Sequence, residues 1–300
     1  MIEGLEHYNK RKYMSCSSLA TCGRCMRRFF FRHGCRLGSG ETHPALKFGS
    51  SADKAFGICL REGLELGFKS FLDAWGEGDE EYQDKKRNRQ VAYKMLERFV
   101  SNPKPYKLVD TPDEVKKIKG RSSSEIPFMV DIGALLPFGG LIDGLCVHVE
   151  TGELWILEFK TTSQLGSWYF NAFNLSTQAI GYVVALKILG LDVKGVMVDA
   201  NLVAKTKSDN VVVPVTVTDV QVEMWLRWAR ETIDKVVKSE TTGDFPQNLS
   251  GCNSYNAFAQ QGFPCDYTDL CKVSNWTSLM EMFRISERQD PLEEMLEGAL

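Results

Sequence analysis

Three ionisable side chains interrupt otherwise apolar, β-like sequence between Gly139 and Ser163: Asp143, Glu158 and Lys160. Gly140–Val149 is rich in strand formers, Glu150-Thr151-Gly152-Glu153 carries turn chemistry, and Leu154–Lys160 is a second β run, so the stretch predicts a hairpin. A charge on a buried strand is costly without a partner, and three in one hairpin call for an explanation. Strand residues two apart share a face, so Glu158 and Lys160 point the same way. A register that brings Asp143 opposite them gathers two carboxylates and an ammonium. Two carboxylates can hold Mg²⁺ or Mn²⁺ with positions left open for water and phosphate, and a neighbouring lysine can orient the attacking water or offset developing negative charge. The alternative is a surface hairpin whose charges face water and make a plain cross-strand ion pair.

Further along, Gln178-Ala179-Ile180-Gly181-Tyr182 lies in a helix-like segment running to about Leu189. Gln178 and Tyr182 are four apart and share a helix face. Asp143 followed by Glu158-Phe159-Lys160 resembles the core motif of the PD-(D/E)XK nuclease superfamily. The Gly-Leu-Ile-Asp-Gly context, the Lys160-Thr161-Thr162 end and the Gln-x-x-x-Tyr that follows resemble its RecB-like branch.

Nine cysteines stand in a chain whose N-terminal sequence lacks the apolar core of a signal peptide. With no apolar run near the roughly 20 residues of a membrane span, the expectation is a cytoplasmic protein without a membrane segment. Disulfides are then disfavoured and metal binding is the reading to test. Cys252, Cys265 and Cys271 fall within twenty residues rich in Gly, Pro, Asn and aromatics. Structural zinc sites usually pair cysteines two to four residues apart, and neither gap here does so. An iron–sulfur cluster needs four thiolates and tolerates varied spacing. Ser15-x-Ser17-x-Leu19-x₅-Cys25-x-Arg27-x-Phe29 resembles the N-terminal segment of iron–sulfur RecB-like nucleases (CRISPR-associated, AddB-type and phage recombination enzymes), and Pro264-Cys265 to Cys271 resembles their C-terminal segment. Cys16, Cys22 and Cys35 are near enough to Cys25 to be rival ligands, while Cys59 and Cys146 read as ordinary buried thiols.

The resemblance runs from about Ser15 to Cys271. It implies a restriction-endonuclease-like α/β fold, a mixed sheet flanked by helices, with both chain ends stapled by a 4Fe–4S cluster on Cys25, Cys252, Cys265 and Cys271. It implies metal-dependent hydrolysis of DNA. Asp143 and Glu158 would hold Mg²⁺ or Mn²⁺, with Asp53 as a third ligand and the Phe159 carbonyl as a fourth. Lys160 would position water, and Gln178 and Tyr182 would orient DNA or the lysine. Relatives carry His where this chain has Asp53, and many carry Pro where it has Met26. Glu125 resembles a glutamate on the first core strand. Members of this branch are often exonucleases directed at single strands or DNA ends, in recombination, repair, phage DNA processing or CRISPR adaptation. The rival functions are a DNA-end-binding module with a degenerate site and a zinc-stapled adaptor; a homo-oligomer or repair partners are left open.

The remaining elements must position these groups. Ser17 or Ser18 is expected to cap an amphipathic helix with Phe29-Phe30-Phe31 in the core. Phe48–Phe56 reads as a helix start, and 57–100 as mostly helical with a solvated charged patch from Asp79 to Arg89. Ser101–Ser124 is a basic break with Pro103, Pro105 and Pro112. Residues 125–130, 195–203 and 210–217 read as strands, the last at an edge because of Pro214. A helix to about Lys238 follows Thr218-Asp219, with Trp225 and Trp228 in the core, and residues 287–300 form an acidic tail. This divides the chain into a helical region (1–124), a nuclease core (125–240) and a cysteine-rich segment with its tail (241–300). Net charge is −3, yet residues 1–36 carry +6, which leaves −9 for the rest. Such unevenness suits a protein that grips phosphate along one face rather than everywhere.

Overall fold

Leu154–Thr162, LWILEFKTT, is a strand because its aromatic and branched side chains fit a pleated surface buried on both sides. It lies at the centre of a five-stranded sheet in a computed structural model that describes residues 7–38, 44–76, 86–110, 125–256, 261–285 and 292. The spatial order is Tyr106–Val109, Gly144–His148, Leu154–Thr162, Val193–Leu202, Asn210–Thr216. All neighbours are antiparallel except Leu154–Thr162 against Val193–Leu202. That parallel pair needs a crossover, which the helices Ser167–Asn171 and Thr177–Ile188 supply. The sheet is therefore mixed and helix-flanked, as expected. Pro214 sits on the edge strand, where its missing N–H costs no ladder bond.

Contacts divide the chain into two compact units, one of residues 42–128 and 141–218, the other of 1–41, 129–140 and 219–300. The first unit holds the sheet. Its helices Pro44–Glu62, Leu64–Trp75 and Arg89–Ser101 cover one face through large aromatics. Phe56 meets Phe99 at 4.6 Å and Phe159 of the central strand at 5.4 Å between ring centres. Gly67 lets two of these helices approach closely, since a Cβ there would collide with Cys59 Sγ. Cys59 and Cys146 are both buried in this core. The charged patch at 79–85, the basic stretch at 111–124 and the acidic tail at 287–300 lie outside the described residues, Leu292 apart. The start of the basic break, Tyr106–Val109, is the other edge strand of the sheet.

Two local expectations are corrected. The run Gly140–Val149 is not one strand: it splits at Asp143 into Phe138–Ile142, which pairs with Ile126–Val130, and Gly144–His148, which joins the central sheet. In the second unit the helix Cys16–Arg24 is capped by Ser15, not by Ser17 or Ser18. Ser18 is instead the return partner, its Oγ accepting the Ser15 N–H at 2.8 Å. Cys25, extended at φ −167°, ends that helix, and Met26–Phe29 and a π-helical turn Phe30–Gly34 follow. Phe29, Phe30 and Phe31 are buried, with Phe31 against Trp276 at 5.0 Å. The long helix Asp219–Thr242 buries Trp225 against Phe138. Among the described residues no helix is long and apolar enough to cross a membrane.

Candidate active site

The break at Asp143 is what aims its carboxylate. Released from the ladder, Asp143 turns its Oδ2 to accept the Phe159 N–H at 2.8 Å, which places it beside Glu158 and Lys160. The register that pairs Gly144 with Leu157 fixes this placement. Asp53 comes from the Pro44–Glu62 helix, which lies against the same strand: a Cβ on Gly49 would stand 3.2 Å from Thr161 Oγ1. Gln178 and Tyr182 come from the first two turns of Thr177–Ile188, capped by Ser176 through the Ala179 N–H.

Glu158 is the hub. Lys160 Nζ and Gln178 Nε2 both donate to its Oε1, the latter at 2.8 Å. Gln178 Nε2 also reaches Tyr182 Oη at 3.1 Å, and the Tyr182 ring packs edge-on to Phe128. The other carboxylate oxygen, Glu158 Oε2, is buried with no hydrogen-bond partner. A buried, unpaired carboxylate oxygen is expensive unless something cationic completes it.

The electrostatics agree with that geometry. Burial and the charges of Glu158 and Asp53 push the Asp143 carboxyl well above the usual range, against the pull of Lys160 and the Phe159 N–H. Burial pushes Asp53 up to about 7; Lys160 opposes this, while Glu158 and Glu125 add to it. Burial works against the Lys160 ammonium, but Glu158, Asp143 and Asp53 outweigh it and hold the lysine above its ordinary value. Asp53, Asp143 and Glu158 thus crowd one region around the Lys160 ammonium. Among the described residues no three Asp, Glu, His or Cys side chains are drawn together closely enough to hold a metal ion as they stand. The donor set is nonetheless all oxygen, as Mg²⁺ or Mn²⁺ requires, and the orphaned Glu158 Oε2 is the atom a divalent ion would satisfy.

The other unit gathers the cysteines. The Cys271 thiol is pushed up to about 11, first by burial, with Arg27 opposing and with Cys25, Cys265 and Cys252 all adding to the rise. Cys25, 246 residues before Cys271 in the chain, therefore shares one electrostatic neighbourhood with Cys252, Cys265 and Cys271. Cys25 Sγ accepts the Asn248 N–H at 3.4 Å, and Cys265 N donates to the Cys252 carbonyl at 2.7 Å. Gly251 permits this approach, since a Cβ there would stand 2.7 Å from the Arg24 carbonyl. The rival Cys22 is buried elsewhere, its thiol raised by burial and by Glu240. A four-sulfur donor set near Arg27 and Arg28 fits an iron–sulfur cluster in chemistry and charge.

Two groups of residues were not anticipated from sequence. Tyr169, seven residues past Thr162, is buried with its phenol in the field of Lys160, Glu158 and Asp53. The signal is the aromatic run Trp168-Tyr169-Phe170, six residues after the central strand ends at Thr162. Asp199, fully buried on the neighbouring strand, pairs with Lys104 Nζ at 2.8 Å and accepts from Tyr106 Oη at 2.7 Å. Asp199 is level with Phe159 in the sheet, so it braces the face away from Glu158 and Lys160.

A family model of the PD-(D/E)XK nuclease superfamily matches residues 13–272. The chain belongs to that superfamily, and its class is nuclease. Among solved structures it is similar to a protein of Eubacterium rectale named "Putative exonuclease", at 13% identity over 99% of this chain and 96% of that one, with a TM-score of 0.50. That likeness concerns the fold. A second structure, SSO0001, is 10% identical over 78% of this chain and 81% of its own, with a TM-score of 0.31. No curated protein matches the chain.

Proposed function

We propose that the protein is a metal-dependent deoxyribonuclease of the RecB-like iron–sulfur branch that degrades DNA from ends, with preference for single strands. The observation that carries this reading is Glu158: one oxygen held by Lys160 and Gln178, the other buried and unpaired in a carboxylate whose charge acts on both Asp143 and Asp53. A salt bridge with no further purpose would not need two more carboxylates pressed against it.

Asp143, Glu158 and Asp53 would hold Mg²⁺ or Mn²⁺, with the Phe159 carbonyl as a further oxygen. When bound, such an ion acidifies water and offsets charge on the phosphate. Lys160, kept as an ammonium by its carboxylate neighbours, donates to the attacking water or to a non-bridging phosphate oxygen. Gln178 fixes Glu158 and is itself fixed by Tyr182, so the strand and helix hold the charged groups in one arrangement. Cys25, Cys252, Cys265 and Cys271 would hold the 4Fe–4S cluster as a staple within their unit. The name of the Eubacterium rectale neighbour accords with exonuclease action, and recombination, repair, phage DNA processing or CRISPR adaptation are the settings for it.

The test is digestion of end-labelled linear single- and double-stranded DNA beside a closed circle, with anaerobically purified protein and Mg²⁺ or Mn²⁺. The reading expects loss of linear substrates and survival of the circle. Cutting of the circle makes the enzyme an endonuclease. Tight binding without cleavage in either metal makes it a DNA-end-binding module.

A further inference from the structure

The crossover after Lys160 is chemically unusual. From Thr161 to Leu186 the chain runs for 26 residues without a single charged side chain, until Lys187. Its first half presents rings. Within the helix Ser167–Asn171, Tyr169 is buried and acts as a wedge, with Trp168 edge-on at 5.9 Å and Phe170 edge-on at 5.3 Å. Trp168 and Phe170 are themselves only partly covered. The indole of Trp168 folds over Gly166, where a Cβ would stand 3.1 Å from Nε1. Leu175, after the helix, is 76% exposed.

This surface adjoins the candidate active site. Phe173, which packs on Tyr169 at 5.5 Å, lines one small closed void with Glu158, Gln178 and Tyr182. The Tyr169 phenol lies in the electrostatic field of Lys160, Glu158 and Asp53.

A nucleic-acid backbone is gripped by cations, and this segment offers none. What it offers is π-faces and uncharged amides, which suit bases. Bases present their faces only when unpaired. We propose that Trp168 and Phe170 form a stacking platform that receives the bases of a single-stranded DNA end whose phosphate lies at Glu158 and Lys160. The platform sets the preference for single strands: a duplex keeps its bases stacked on one another and gains nothing from it. This rests on the nuclease reading above.

The experiment is steady-state cleavage of a single-stranded oligonucleotide, and of the same oligonucleotide with abasic positions next to the cleaved bond. The enzymes are the unaltered protein, Trp168→Leu/Phe170→Leu, and the conservative Trp168→Phe/Phe170→Tyr as a folding control. The platform predicts that the leucine variant raises KM for the normal strand by about tenfold with kcat little changed. The aromatic variant recovers most of that loss. The abasic substrate shows a similar loss with the unaltered protein and little further loss with the leucine variant, because both changes remove one interaction. Independent, multiplying losses from the variant and the abasic positions would overturn the platform while leaving the nuclease standing, as would an unchanged KM. Absence of cleavage by the unaltered protein would overturn both.

Discussion

Replacing Asp53 by asparagine should stabilise the metal-free protein at pH 8 and leave it unchanged near pH 4. Asp53 titrates near 7 in the folded chain instead of 3.8, because it is buried beside Glu158 and Glu125. Between those values the folded state binds more protons than the unfolded state. Stability from this group is therefore complete below about pH 4 and falls as pH rises through 7. The full shift corresponds to at most about 4 kcal/mol. Asp53 retains some solvent contact, which screens the effect, so about 2 kcal/mol is the expected gain for Asp53→Asn at pH 8. For a chain of this size that is about 4 °C in Tm. The assay is thermal unfolding in EDTA from pH 4 to 8, followed by circular dichroism. The unaltered protein should lose stability across that range relative to the variant, and Mn²⁺ should raise the Tm of the unaltered protein much more than that of Asp53→Asn. A variant less stable than the parent at pH 8 would refute the crowding of carboxylates from which the site is argued.

Other perturbations act on single contacts. Lys104→Met leaves the fully buried Asp199 carboxylate without its cation, though still hydrogen-bonded by Tyr106, and should cost about 3 kcal/mol in urea denaturation, with Asp199→Asn added on top recovering part of it. Gln178→Ala frees Glu158 Oε1 from its amide partner and should lower kcat about tenfold with little change in DNA affinity, measured by single-turnover cleavage and by binding in Ca²⁺. Cys271→Ser should abolish iron incorporation and the broad visible absorbance of anaerobically purified protein; a colourless, zinc-containing parent would contradict the cluster.

Much of the sheet could be read from residues alone because its signals are local. Leu154–Thr162 and Val193–Leu202 are dense in strand formers, and Pro214 marked the edge strand correctly. Gln178 and Tyr182 were legible as a pair because helix periodicity places them on one face, and the structure joins them at 3.1 Å. The split at Asp143 was not legible. Phe138–Ile142 and Gly144–His148 are both β-like, and only their different partners, decided by distant strands, show that the ladder changes sheets there. Sequence does not single out Ser15 as the cap, because Ser15, Ser17 and Ser18 are equivalent until the path of the chain selects one. The Asp199 network was invisible for a related reason: its lysine and tyrosine lie 95 and 93 residues away and no spacing rule links them. Asp53 is legible only through resemblance, and its raised pKa comes first from burial, with Glu158 and Glu125 adding to it, none of which sequence position reveals.

Glu158 and Lys160 are proposed to act together, with a divalent ion, to hydrolyse DNA. This joint action is tested most directly by single-turnover cleavage of an end-labelled single strand in Mn²⁺ by the parent, Lys160→Ala and Glu158→Gln, with DNA affinity measured in parallel in Ca²⁺. Joint action predicts measurable cleavage by the parent, a loss of about 10³-fold or more in either variant, and binding retained within a few-fold. Cleavage by both variants at the parent's rate would show that the hairpin charges are a structural ion pair and that the chemistry lies elsewhere.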